Sequence, residues 1–456
     1  MPVSQSVYNH MPQFAQSAVV NVYGIYQKHM RYGSVYKNHF EFLHRFESLP
    51  PEKQMSYQLN ALRELIQYSK TQSHFYKDLY KDINVTDIRS LADIKHLPIL
   101  TKEMIRENQN EIYCRTKGNR LRASRTSGTT GTPLKFLHTK YDSEKRMAVL
   151  DYFRLKVGFI NMKMRKASFN SRPVAGNDAH GGIARTNYAM KQRLYSVFHI
   201  NEEYLPAIIN DMNHFRPSAL EGYPSAISEI SKYIIRTNSQ IIFKLTAIFP
   251  TAETLTTETR AIIERAFNCK VFNQYGSSEG APIITECAFG KLHLETSTGI
   301  IETLPNTDEV LVTGFLTHGT PIIRYKIGDC IIPDDTWDEP PCACGSRLPQ
   351  IRSIEGRTTD FIYAISGAKI PAVSIGSIIR KDTKGIINSQ IIQHERKSIT
   401  ICIVKDSSYS SEHEFALKNN LQQFLGNEMN IIFQYVNKLE KTAGGKVRFI
   451  INTLGD

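Results

Sequence analysis

Apolar side chains recur at helical spacing early in the chain and give way later to strand-like alternation, so both kinds of element are expected. Over residues 52–79, Leu59, Leu62, Leu65 and Ile66 form one helical stripe ahead of His74-Phe75-Tyr76, which predicts a helical hairpin. Upstream, residues 22–32 mix aromatic, apolar and basic side chains and read as an amphipathic helix, lying either on the rest of the protein or on a membrane surface. Leu97 to Lys102 reads as a turn into a helix with Thr101 as its N-cap. A short strand at 134–137 and a helix over 141–157 follow. Residues 164–193 are irregular and rich in cations, with Gly181-Gly182 among them, and read as a solvated basic loop or as a basic lip for an anionic substrate. Strands are then predicted at 241–249, 270–275, 309–313 and 321–325, with a helix over 257–267. Toward the end come strands near Ile391 and over 399–404, a helix over 412–425 and a strand over 430–436. Such alternation predicts an α/β protein. A chain of 456 residues is too long for one comfortable core, so two or three domains are expected.

One stretch fits none of these patterns. Thr126-Ser127-Gly128-Thr129-Thr130-Gly131-Thr132-Pro133 offers hydroxyls and glycines and no bulky apolar group. Gly128 and Gly131 permit close backbone approach, and the hydroxyls add short donors, which is how a loop wraps a phosphate. A solvated Ser/Thr/Gly linker has the same composition, so both readings stay open here. The stretch lacks the Lys of a P-loop and the glycine spacing of a dinucleotide fold.

Thr126 to Pro133 resembles the phosphate-binding signature of the adenylate-forming superfamily, and other blocks follow in that superfamily's order. Within it the chain is most similar to the phenylacetate–CoA ligase group and its CapK-type capsule-biosynthesis relatives, over about residues 59–448. The resemblance implies a two-domain fold: a large N-terminal α/β, AMP-binding domain over 1–355 and a small mobile α+β domain over 356–456. It implies ATP, Mg²⁺ and an acyl-adenylate. Tyr223, in Glu221-Gly222-Tyr223-Pro224, matches the aromatic residue facing the acyl pocket, and Ala252-Glu253 the segment against adenine and ribose. Tyr275-Gly276-Ser277-Ser278-Glu279 matches the second strong motif, where an aromatic face stacks on adenine, Gly276 lets backbone approach, and Glu279 offers an oxygen ligand to Mg²⁺. Asp329, in Arg324-Tyr325-Lys326-Ile327-Gly328-Asp329, is assigned to the ribose hydroxyls. Arg357 lies in the hinge segment, although Thr359 stands where the family usually has an acid. Lys446, in the Gly-rich loop 441–448, matches the catalytic lysine that reaches the α-phosphate and the carboxylate.

The formal charge of +12 is dispersed, with no zinc-finger or RNP-like pattern, so nucleic acid is not the expected partner. No apolar run is long enough to cross a membrane and the N-terminus lacks a secretory pattern, so the cytoplasm is expected, with a peripheral contact to the inner membrane face left open. Seven cysteines read as free thiols or a metal site in a reducing compartment. Cys287, His293, Cys342 and Cys344 are the candidate ligands of a structural Zn²⁺.

The cations of residues 164–193, Arg172, Arg185 and Lys191 in particular, favour an acid more polar than phenylacetate. CapK-type relatives are associated with capsule clusters, so the expectation is a uronic acid on a nucleotide- or lipid-linked sugar, joined through its adenylate to an amine such as an amino acid, with Arg172, Arg185 and Lys191 pairing with the carrier's phosphates. The alternative is a phenylacetate–CoA-ligase-like synthetase with CoA as acceptor, and a non-catalytic membrane-associated scaffold is the rival from a different class. A homodimer is also open.

Overall fold

The computed structural model describes residues 5–114, 121–125, 134–170, 182–253, 255, 257–304, 309–334, 340–354, 361–371, 375–376, 378–379, 385–437, 439–440 and 450–454. Its first part is helical: α1 (Gln5–Asn9), α2 (Gln13–Arg31), α3 (Ser34–Phe46), α4 (Pro51–Gln72), α5 (His74–Leu79) and α6 (Lys102–Glu107). The stripe expected between 52 and 79 is the buried face of α4, with Leu62, Leu65 and Ile66 in the core. Ser73 breaks α4 from α5 by capping the latter, accepting from the Tyr76 amide. Thr101 caps α6 as expected, its Oγ1 accepting from the Met104 amide at 3.2 Å.

A hairpin of β1 (Arg122–Arg125) and β2 (Lys135–His138) leads into α7 (Lys140–Lys156), which starts on a capping box between Thr139 and Asp142. Next come β3 (Lys166–Asn170), β4 (Ala184–Asn187), β5 (Gln192–Ser196), α8 (Leu205–Phe215), β6 (Ala219–Gly222), α9 (Pro224–Thr237), β7 (Ala247–Pro250) and α10 (Thr257–Phe267). These strands form a five-stranded sheet in the order β4-β5-β3-β6-β7, parallel from β5 through β7. The solvated-loop reading of 164–193 is therefore corrected, because β3 and β4 lie within it and β5 begins in it. Conversely, the strand expected at 241–249 is confined to β7. Asn213 holds the earlier part away from the sheet by pairing with the Gln240 carbonyl at 2.9 Å and the Ile242 amide at 3.0 Å.

Residues 270–275 cross between sheets. Val271 bridges Ile248 of β7 in parallel, and the run then becomes β8 (Gln274–Tyr275), the edge of a second sheet. That seven-stranded sheet, ordered β11-β12-β13-β14-β10-β9-β8, contains β9 (Ile284–Glu286), β10 (Leu292–Leu294), β11 (Gly299–Thr303), β12 (Glu309–Gly314), β13 (Ile322–Pro333) and β14 (Gln350–Ile354). It packs against α4 and α5 in one large apolar cluster.

The C-terminal segment has its own core. A two-stranded ladder of β15 (Phe361–Tyr363) and β16 (Lys369–Pro371) joins a four-stranded sheet, β19-β18-β17-β20. The sheet's strands are β17 (Ile386–Glu395), β18 (Ser398–Lys405), β19 (Asn430–Tyr435) and β20 (Ile450–Asn452), and α11 (Ser411–Leu425) packs on it through Leu417, Leu421 and Leu425. This cluster draws only on residues 362–450.

Candidate active site

The hairpin that carries the Ser/Thr/Gly stretch is anchored at its base. Ser124 Oγ donates to the Ser278 carbonyl at 2.8 Å, and His138 Nε2 lies 3.0 Å from the same oxygen and 2.7 Å from Ser124 Oγ. A carbonyl only accepts, so Nε2 carries the proton. Burial first, then the Arg146 cation, pushes His138 down to about 4, which keeps the ring neutral. Arg146, on α7, donates to the Ser277 carbonyl at 3.2 Å, and Ser277 Oγ accepts from the Gly280 and Ala281 amides at 3.2 and 3.1 Å. Gly280 has φ +105°, and a Cβ there would come within 2.3 Å of Thr317 Cγ2. The turn of Gly276 to Glu279 is thus fixed from three sides, with Glu279 buried and its charge felt by Arg146.

Tyr275, Asp329 and the end of β7 meet at this turn. Tyr275 donates its hydroxyl to Asp329 Oδ2 at 2.8 Å, joining β8 to β13 and two motifs far apart in sequence. Gln274 Nε2 donates to the Pro250 carbonyl at 3.1 Å, which brings Thr251-Ala252-Glu253 alongside. Ala252 has φ +68°, in the left-handed region that a Cβ disfavours. Arg324 serves as a structural tie, pairing with Glu302 at 3.0 Å and donating to the Leu97 carbonyl at 2.7 Å. Thr126, Ser127, Gly128, Thr129, Thr130, Gly131, Arg172, Arg357 and Lys446 lie outside the described residues. Arg146, Ser124 and His138 were not singled out from the sequence. The available signal was position, since Ser124 and His138 flank the loop and Arg146 lies four residues past the capping Asp142.

Beside the turn, a cavity of about 280 Å³ opens at the carboxyl ends of the parallel strands, where Asn170, Gly222 and Thr251 line it. Its wall is mixed: Tyr23, Tyr32, Met147, Leu150 and Phe169 line it together with a cluster of charged and polar side chains. Glu221 holds Arg154 at 2.6 Å and Lys166 at 2.8 Å, Arg154 also pairs with Asp151 at 3.1 Å, and Gln192 donates to Ser168 at 2.7 Å. Burial raises the Glu221 carboxyl, but the Lys166 and Arg154 cations outweigh it and hold the group down to about 2. Helix α2 covers the cavity with Gln27 and Arg31. Asn187 also lines it, and α2 approaches closely because residue 24 is glycine: a Cβ there would meet Asn187 Oδ1 at 2.1 Å.

The cations expected at a substrate lip are placed otherwise. Arg185 is buried, donating to the Gly182 and Ala184 carbonyls at 3.1 and 2.9 Å and to Gln16. Lys191 is exposed and donates to the Lys163 carbonyl at 3.1 Å. Neither lines the cavity. Tyr223 packs in the apolar cluster under the sheet, while Gly222 before it faces the cavity.

At the far end of the seven-stranded sheet, the four candidate zinc ligands converge. The ligand atoms of Cys287, His293, Cys342 and Cys344 all lie within 4.8 Å of one another. Two tight turns present the thiols: the Gly290 amide donates to the Cys287 carbonyl at 2.9 Å, and the Gly345 amide to the Cys342 carbonyl at 2.7 Å. His293 Nδ1 lies 3.1 Å from the Leu348 carbonyl, so Nδ1 carries the proton and Nε2, 3.6 Å from Cys344 Sγ, keeps its lone pair for a metal. A hydrogen bond from Cys344 holds the Cys287 thiol well below the ordinary range.

Comparison with known proteins agrees with this architecture. Residues 362–453 match the CapK C-terminal domain family. Protein CapK of Staphylococcus aureus is 34% identical over 454 residues, covering 98% of this chain and 99% of that one. Phenylacetate-coenzyme A ligase of Thermus thermophilus is 25% identical over 365 residues, 76% of this chain and 79% of that one. A structure of 2-hydroxyisobutyryl-CoA ligase in complex with 2-HIB-AMP and CoA superposes with a TM-score of 0.58 at 16% identity, over 90% of this chain and 91% of that one, and establishes the common fold. The chain belongs to the CapK family, within the adenylate-forming, ATP-dependent ligases that release AMP.

Proposed function

We propose that this ligase activates a polar, oxygen-rich carboxylic acid of the uronic-acid class and joins it to an amine. The carrying observation is the polar part of the cavity wall, Arg31, Arg154, Lys166, Glu221, Asn170 and Gln192, which stands among Tyr23, Tyr32, Met147, Leu150 and Phe169 and offers charge and hydrogen bonds that an arylacetate would not use. In this reading the carboxylate oxygen attacks the α-phosphorus of ATP, the bond to the pyrophosphate breaks, and an acyl-adenylate forms. The amine nitrogen then attacks the acyl carbon, loses a proton and displaces AMP. Thr126, Ser127, Gly128, Thr129, Thr130 and Gly131 hold the phosphates, Tyr275 and Ala252-Glu253 the adenine, and Asp329 the ribose. Glu279 holds the Mg²⁺ that arrives with ATP and neutralises phosphate charge. Lys446, on a small domain of 356–456 pivoting near Arg357, stabilises the charge of the first step and withdraws for the second.

The test is AMP release with ATP, Mg²⁺ and either a uronic acid nucleotide plus amino acids or phenylacetate plus CoA. Turnover with the first set is expected. Robust arylacetyl-CoA synthesis would overturn the substrate reading in favour of the CoA-synthetase alternative. Lys446→Ala should lower pyrophosphate exchange by about a hundredfold or more while sparing transfer from preformed adenylate. We further assign Cys287, His293, Cys342 and Cys344 to a structural Zn²⁺, since four protein ligands leave no open position for chemistry. About one equivalent by elemental analysis, and a lower Tm on chelation, is expected.

A further inference from the structure

Helix α2 is inverted relative to an ordinary surface helix. Its inward stripe is Gln16, Val20, Gly24, Gln27 and Met30. Its outward face carries Phe14, Val22, Ile25 and Tyr26, with Phe14 78% exposed and Val22 and Ile25 each 62% exposed. The inward polarity has a local cause. Gln27 lines the cavity, and Gln16 donates to the Tyr8 carbonyl at 3.1 Å while accepting from Arg185. Among the described residues, Tyr26 stacks on Tyr23 at 6.2 Å, and nothing comparable to the inward bonds accounts for Phe14, Val22 and Ile25. Burying apolar surface is worth about 25 cal/mol per Å², so leaving this face in water forgoes stabilisation. Tyr188 widens the face: it is 76% exposed, and its amide donates to Asn21 Oδ1 of α2 at 3.0 Å.

The charged side chains of α2 itself are all cations. Residues 1–40 contain no Asp or Glu, while Lys28, Arg31 and Lys37 lie among them. Lys28, His29 and Lys37 are exposed where α2 ends and α3 begins, and Lys191 is exposed close to Tyr188. Cations beside an outward apolar stripe complement an anionic lipid surface, and the first acid, Glu41, lies only on α3, one turn beyond Lys37. A pairing of two copies through this segment would set like charge against like charge. Among the described residues no helix is long and apolar enough to cross a bilayer, so the fit is to its surface.

We propose that α2 docks on an anionic bilayer, with Phe14, Val22, Ile25, Tyr26 and Tyr188 entering the interfacial layer and Lys28 and Lys37 meeting lipid phosphates. Because the opposite side of α2 covers the cavity, docking sets the cavity one helix diameter, about 10 Å, from the lipid surface. An acid or acceptor held on a membrane-embedded carrier would then reach the site. The proposal stands on α2 alone and does not depend on which acid is activated.

The experiment is vesicle co-sedimentation of the full chain. Vesicles of mixed phosphatidylglycerol and phosphatidylcholine should pellet the protein, and phosphatidylcholine alone should do so at least about tenfold less. Phe14→Ser combined with Ile25→Ser should lower binding by about tenfold or more while leaving the Tm and pyrophosphate exchange unchanged. Protein that stays in the supernatant with both vesicle types overturns the proposal, as does binding that the double variant leaves intact. A dimer by light scattering that the same variant dissociates, without vesicle binding, would assign the face to a second copy instead.

Discussion

The two faces of the sheet β4-β5-β3-β6-β7 are both covered, and they are filled by different chemistry. On one, Ala167 and Phe169 of β3 align with Tyr195 of β5, Leu220 of β6 and Ile248 of β7, all in one apolar cluster under α8, α9 and α10. Phe169 and Tyr195 stack at 4.9 Å. On the other, the alternate residues Lys166 and Ser168 align with Gln192 and Leu194 and with Ala219 and Glu221, beneath α2 and α7. This second face is graded. Toward β7 it becomes apolar, with Ala219, Ala247 and Phe249 against Phe153 of α7, and its ions are confined to the cavity wall. Buried ion pairs gain little net stability over apolar side chains of the same volume. The other face carries a pair of its own, Arg193 with Asp211 of α8 at 2.6 Å beside the Tyr195 hydroxyl, so what sets the second face apart is that its ions line a cavity, where a ligand can use them.

Removing one member of that ion cluster should produce the largest effect. Glu221→Ala leaves Lys166 and Arg154 without their shared carboxylate and should cost about 3–5 kcal/mol, read from the urea midpoint. Replacing the ions together, as Lys166→Met with Glu221→Leu, Arg154→Leu and Asp151→Asn so that no buried charge is orphaned, should restore most of that stability while acid-dependent AMP release stays lost. A Glu221→Ala cost below about 1 kcal/mol would mean that water already solvates this face. On the apolar face, Ile248→Ala should cost about 3 kcal/mol through cavity formation, with the KM for the acid unchanged in the protein that remains folded. A KM shift there would erase the functional distinction between the two faces. Smaller again is Gln192→Leu, which removes the bond to Ser168 from the cavity wall. It should raise the KM for a polar acid about tenfold, which is about 1.4 kcal/mol, and change the Tm little.

The same contrast explains what was legible in the sequence. Helix α4 and the Thr101 cap could be read because a local pattern, the Leu62-Leu65-Ile66 stripe and one hydroxyl before a first turn, carries each, and α7 could be read although it buries Asp151 and Arg154 beside Ala148, Val149 and Phe153. Segment 164–193 could not. Lys166 and Ser168 look solvent-facing by type, yet Glu221 and Gln192, distant in sequence, supply their partners inside the fold. Motifs carried their own local order, so Gly276 to Glu279 and the Cys/His quartet were found by spacing. Arg146 and His138 form no motif, and only the tertiary approach of α7 and β2 to the Ser277-Ser278 carbonyls gives them a role. Arg185 shows the reverse error, since a cation among cations reads as surface until Gln16 and two carbonyls are seen to enclose it.

The last expected effect is in the acid limb of stability, and it separates the faces without changing any volume. Glu221 sits near 4.5 when unfolded and about 2 when folded, so its contribution is fully present above pH 4.5 and is lost as pH falls toward 2. His138 falls from 6.5 to about 4 on folding because burial and Arg146 disfavour its cation. A neutral ring is therefore what the fold prefers, and stability present above pH 6.5 declines as pH falls toward 4. The wild type should lose stability in two stages, the first below pH 6.5 and the second below 4.5. Glu221→Gln should shrink the second stage and His138→Gln the first, where His39, lowered to about 3 by burial and then by Lys145, supplies the remainder; Ile248→Ala should leave both stages in place, because isoleucine titrates nothing. Urea midpoints measured across that pH range decide it. If Ile248→Ala flattened the profile as much as Glu221→Gln, the acid limb would belong to global unfolding and not to the ion-lined face.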